Sequence, residues 1–130
     1  MSWDAETLAT QLAALGRDLD EEVGVLGRLD EAAVDAEGRY RVLDAEHGDR
    51  VASEFLRADG AVETRKMHAR LKAVPARLLA DEAWLEWNQA KARLRTQQAS
   101  IQALHRRVEI GRSLLSREKA LISIAGVGET

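Results

Sequence analysis

Apolar positions in the first half of the chain recur in alternating steps of four and three. One row is Leu12, Leu19, Leu26, Ala33, Tyr40 and His47; the other is Leu8, Leu15, Glu22, Leu29, Ala36 and Leu43. This is the spacing of a helix seam, because 3.5 residues per turn keeps one stripe facing a partner helix. Ser2 or Asp4 is placed to cap the start, and Asp4 and Glu6 suit the positive helix end. Gly16, Gly24, Gly27 and Gly38 each weaken such a helix by roughly 1 kcal/mol relative to alanine, so the pattern allows a break near residues 24–27.

The phase shifts after residue 47. Val51, Phe55, Ala58 and Val62 form a new stripe, with Gly60 either interrupting it or capping a helix end. Met67, Leu71, Val74 and Leu78 follow at helical spacing. Pro75 lies within that stripe and predicts a kink or a short break, since proline disfavours helical geometry at the residue before it and removes a donor. The last segment has the clearest period: Trp87, Leu94, Ile101, Val108, Leu115 and Ile122, seven apart. Its companion row, Ala90, Gln97, Leu104, Gly111 and Glu118, is weaker. Gly111 in that row marks a close backbone approach or a local bend. A helix from about Pro75 to Ile122 would run roughly 70 Å.

Asn-Gly does not occur, and the Asp-Gly at Asp59-Gly60 is not flanked by alternating β-branched runs, so no hairpin signal appears and the expected class is all-α. The architecture expected is a long helical hairpin or coiled-coil-like bundle in a single domain, 1–130. It has an acidic helical region at about 3–58, a basic one at about 61–122 and a frayed tail at 123–130. Two long helices leave apolar surface uncovered, which predicts a homo-oligomer. The expected oligomer seam is Trp87, Leu94, Ile101, Leu104, Val108 and Leu115 with Leu12, Leu19 and Leu26.

Composition narrows the chemistry. Much of the 45% hydrophobic content is alanine and aromatics are 4%, so the core is thin. Cysteine is absent, which excludes disulfides, thiol nucleophiles and thiolate zinc sites. The start carries acid where a signal peptide needs base, and no stretch approaches a membrane span. The expectation is a cytoplasmic protein with no membrane contact. The three histidines, His47, His68 and His105, are too far apart for a helical metal pair. Glu82 and Glu86 share a face, but the second acidic pair that would help them hold Mg²⁺ is lacking: Glu109 and Glu118 sit isolated among arginines. No phosphate-binding glycine loop occurs. No enzyme, catalytic residue, metal or cofactor is expected.

Charge separates the two halves. Residues 1–60 hold 15 acids and 6 bases; residues 61–130 hold 7 acids and 13 bases, within a net −3. Arg95, Arg106, Arg107, Arg112, Arg117 and Lys119 give the last helix a basic surface suited to phosphates, and Trp84 near its start could stack on an unpaired base. The competing reading pairs this helix with the first. Lys91, Arg93, His105, Arg107, Arg112 and Lys119 flank one seam, while Asp18, Asp30, Glu37, Asp44 and Glu46 flank the other. Arg95, Arg106 and Arg117 fall away from the seam and escape that pairing. Both readings stay open at the level of periodicity.

From about Leu43 the chain resembles a family of small helical proteins encoded by actinobacterial phages. The residues that carry the resemblance are "LDAEHGDRVASEFLRADGAVETRKMHARL", "LEWNQAKARLRTQQASIQALHRRVEIGRSLLSREKAL" and, most specific within it, "ALHRRVEIGRSLLS". More distantly, the size, helical content, basic C-terminal helix and tryptophan-bearing helix start are similar to phage recombination mediators of the UvsY type. That resemblance implies an oligomeric accessory protein of recombination or replication, binding single-stranded DNA and contacting a recombinase or another phage protein. The alternative is a coiled-coil adaptor, assembly factor or structural phage protein with no nucleic-acid role.

Overall fold

The computed structural model describes residues 4–128, and side chains of residues 4–126. The described residues are 95% helical, in three helices with no strand, so the fold is all-α. The helices are α1 (Ala5–Arg57), α2 (Val62–Lys72) and α3 (Val74–Gly128).

Asp4 starts α1. Its carboxylate accepts the Thr7 backbone N–H at 2.7 Å, satisfying one of the unpaired amides of the first turn. Ser2, the other candidate cap, lies outside the described residues. The break allowed near 24–27 does not occur, and α1 is continuous for 53 residues. Isolated glycines weaken a helix but do not end it where a packed seam holds the flanking turns. The helix stops at Arg57, and Gly60 follows with φ of +105°, a conformation that side-chain-bearing residues rarely adopt.

The proline makes a short break. A single turn residue, Ala73, separates α2 from α3, and helical hydrogen bonds step across it from Ala73 to Ala69 and from Arg77 to Ala73. Pro75 is thereby the second residue of α3, where its missing N–H costs little. At the other end, α3 continues to Gly128 rather than ending near Ile122.

Contacts divide the chain into two compact units, the first of residues 1–27 and 95–130, the second of residues 28–94. In the first unit, early α1 runs antiparallel to late α3. Leu8, Ile101 and Val108 are buried, and Leu12, Leu15, Leu19, Leu26, Leu104 and Leu115 are half-buried. Gly111 is a close approach rather than a bend: a Cβ there would stand 2.6 Å from Leu12 Cδ2. Glu22 and Gln97, the polar members of two otherwise apolar rows, meet each other. The Gln97 side-chain amide donates to the Glu22 carbonyl oxygen at 2.9 Å and also to the Glu22 carboxylate.

In the second unit, late α1 packs on α2 and early α3. Its buried row is almost all alanine: Ala33 from α1, with Ala69, Ala73, Ala80, Ala83 and Ala90 opposite. The stripe Met67, Leu71, Val74 and Leu78, at equally good helical spacing, lies on the exposed side. Tyr40 stacks on Trp87 with ring centroids 5.6 Å apart, and Lys91 Nζ sits 4.0 Å from the Trp87 ring centre on the indole. Near the chain reversal, Arg65 donates to the Phe55 carbonyl oxygen at 3.0 Å and lies over its ring.

Candidate nucleic-acid interface

The basic residues of late α3 are all in the first unit and all exposed: Arg95, Arg106, Arg107, Arg112, Arg117 and Lys119. No carboxylate among the described residues forms an ion pair with any of them. The described ion pairs all lie in the second unit. Five are within a helix, Glu37–Arg41, Arg50–Glu54, Arg57–Glu54, Lys66–Glu63 and Arg77–Asp81; the sixth joins Arg39 to Glu86 at 3.1 Å.

The exchange of charge expected between an acidic first helix and a basic last helix is therefore not formed. Of its acidic members, Glu37 pairs with Arg41 on its own helix. The one interhelical pair has the opposite polarity, with the base on α1 and the acid on α3. A side chain four residues away on the same helix is already within reach, whereas a partner across the seam requires two long side chains to fold over the apolar row.

The six bases do not share one face. Arg95, Arg106 and Arg117 follow each other at eleven-residue steps on the side of α3 away from the seam. Arg112 and Lys119 flank one edge of the seam. Arg107 flanks the other, in a groove it shares with Asp18, Glu21, Glu22, Ser100, Ala103 and Leu104. Those carboxylates make Arg107 a weaker phosphate ligand than Arg106, because an incoming anion meets their charge as well. The aromatic candidate is apart from the basic set: Trp84 belongs to the second unit. It is half exposed, in a groove with Tyr40, Asp44, Arg77, Asp81 and Leu85, where two of the neighbours are acidic.

The proposed oligomer seam is occupied inside the chain. Trp87 is taken by Tyr40 and Lys91, Leu12 rests against Gly111, and Ile101 and Val108 are buried in the first unit. Leu19, Leu26, Leu94, Leu104 and Leu115 are half-buried. Sequence reading did not single out a further apolar groove in the first unit, lined by Leu8, Leu12, Leu15, Arg107, Ile110 and Leu114, with Gly111 at its floor. Exposed Ile110 and Leu114 off the seam rows were the available signal.

Among the described residues no group of three or more His, Asp or Glu side chains could hold a metal ion. No helix of the described residues is long and apolar enough to cross a membrane. Comparison with known protein families, with curated proteins and with solved structures finds no match.

Proposed function

We propose that the chain is a non-catalytic, oligomeric accessory protein that binds single-stranded DNA along the basic stretch of α3, in the service of phage recombination or replication. One observation carries the reading. Six exposed bases from Arg95 to Lys119 make no ion pair with any described residue, although an acidic helix segment packs against the same stretch. Unpaired guanidinium groups on a helix attract phosphate oxygens without reading sequence, and binding releases counterions from the nucleic acid. Arg95, Arg106 and Arg117 carry most of it, since they face away from the α1 acids; Arg112 and Lys119 add contacts at one edge. Trp84, outside this unit, is a secondary candidate for base stacking. A recombinase or another phage protein is the partner this role requires, and the acid-rich stretch Asp18–Glu22 is a surface for it.

Fluorescence anisotropy of a labelled single-stranded oligonucleotide at two salt concentrations tests the reading. Binding should weaken steeply with salt, and Arg106→Glu with Arg117→Glu should lower the salt slope by about two. No binding at low salt, or binding indifferent to salt, refutes it.

An adaptor role without nucleic acid has its own support, the apolar groove between Leu8 and Leu114 with acidic residues on the neighbouring turns of α1. Such a groove suits an amphipathic helix of a protein partner.

A further inference from the structure

We propose that the protein pairs with a second copy of itself through the outward face of residues 67–85, the two copies running antiparallel. This goes beyond the DNA-binding reading and does not depend on it. In the second unit the inward row is alanine, and the large apolar side chains of the same helices point the other way. Met67, Leu71, Val74, Leu78 and Leu85 are 66, 68, 44, 63 and 56% exposed. Trp84, beside them, is 48% exposed. Single exposed apolar residues are ordinary on protein surfaces, but a continuous stripe at coiled-coil spacing marks an interface. It spans roughly 27 Å at 1.5 Å per residue. Covered on both copies, it removes on the order of 1,000 Å² from water, the scale at which specific interfaces begin.

The ends of the face identify what covers it. Residues 65–72 contain Arg65, Lys66, Arg70 and Lys72 and no acid; residues 81–86 contain Asp81, Glu82 and Glu86 and no base. Arg65, Lys66, Asp81 and Glu86 have partners within the chain. Arg70 and Glu82, which flank the stripe towards its two ends, make no ion pair among the described residues, and neither does Lys72. An antiparallel two-fold lays the basic end of each copy on the acidic end of the other, whereas a parallel pair sets like on like. The surface is complementary to itself, as a two-fold interface requires. An anionic lipid surface, which would welcome the basic end, is repelled by the acidic one. With Val74 opposite Leu78, Met67 meets Leu85 and Leu71 meets Asp81, the one polar position of the stripe, which keeps its pair with Arg77 at 3.1 Å.

Sedimentation equilibrium of the full chain without nucleic acid tests the pairing. The protein should be a dimer. Leu71→Glu with Leu78→Glu should weaken dimerisation about tenfold or more and leave the helical circular dichroism unchanged, because both side chains already face water. The chain has no cysteine, so orientation is read by disulfide trapping. A mixture of Met67→Cys and Leu85→Cys proteins should give the mixed disulfide, and neither variant alone a rapid one. A monomeric wild type overturns the proposal. So does a dimer that ignores the double glutamate variant, and so does rapid homodisulfide formation by Met67→Cys alone.

Discussion

Asp4 and the first part of α1, residues 4–27, hold six acids and one base, and the α3 stretch packed on them, 95–128, holds six bases and two acids. Residues 28–94 hold thirteen acids and twelve bases, mixed along each helix. The second region contains every described ion pair and the first contains none. The cores differ in a parallel way: leucine, isoleucine and valine close the first unit, alanine the second. The comparison teaches that opposite net charges on neighbouring helices do not by themselves produce ion pairs. Local i,i+3 and i,i+4 spacing does, at a gain of about 0.3–0.5 kcal/mol per exposed pair. Charges separated onto two helices act through their field instead, and that field is available to a partner.

The largest expected effects come from exchanging the two kinds of core. Ile101→Ala should cost about 2–4 kcal/mol in urea unfolding, since it empties one of the few large buried side chains of the first unit. Ala80→Leu should cost about 1–3 kcal/mol for the contrary reason, because the alanine row of the second unit has no room for a larger residue. If Ala80→Leu proves neutral, the difference between the cores is one of composition and not of spacing between helices.

Glycine substitutions sharpen the contrast on a smaller scale. Gly38→Ala should raise stability by about 1 kcal/mol, because its new Cβ meets nothing within 4 Å and the helix gains propensity. Gly111→Ala should gain less or become destabilising, since Leu12 must move aside. Equal thermal shifts in the two variants would remove the close approach from the account.

The smallest effect is at the start of α1. The Asp4 carboxyl titrates below its ordinary range, held there first by the Thr7 backbone N–H and then by the Thr7 side chain. A lowered folded value means that the cap stabilises fully above the unfolded pKa, and that this is lost as pH falls through the folded one. Asp4→Ala should therefore fray the first turn at neutral pH and make no difference in strong acid. Amide hydrogen exchange at Thr7 and Leu8 reads it.

The seam rows were legible up to Leu115, and only their last member, Ile122, is exposed. Leu8, Ile101 and Val108 are buried as their spacing requires, and even the polar members, Glu22 and Gln97, lie where the rows place them. The phase shift after His47 was legible too, with Val51, Phe55 and Ala58 half-buried beyond it, but Val62, the fourth member of that stripe, starts α2 and is exposed. Which face of residues 67–83 turns inward was not. Met67, Leu71, Val74 and Leu78 have the same period as Ala69, Ala73, Ala80 and Ala83, and hydrophobicity favours the larger set. The smaller set wins because small side chains let two backbones come close, a property of the pair of helices rather than of either alone. The charge pairing failed to read for a related reason: heptad positions tell which residues flank a seam but not whether a nearer partner on the same helix takes them first. Of the candidate DNA-binding set, outward placement was legible for Arg95, Arg106 and Arg117; the exposure of Arg107, Arg112 and Lys119 beside the seam and the acidic surroundings of Arg107 and of Trp84 depend on which turns of α1 come alongside.

The turn at Gly60 sets the order in which the chain assembles. Phe55 and Arg65, joined beside it, are ten residues apart in sequence, whereas Glu22 and Gln97 are 75 apart. Closing the longer span first would cost more chain entropy, by about 0.6 kcal/mol for each doubling of loop length. Loop-closure entropy therefore favours nucleation at the reversal, after which each later contact closes only a short remaining gap, as teeth of a zip engage in sequence. When that advancing zip reaches Glu22 and Gln97, their hydrogen bonds check its alignment, because a slip of one heptad would strand both polar groups against leucine or alanine.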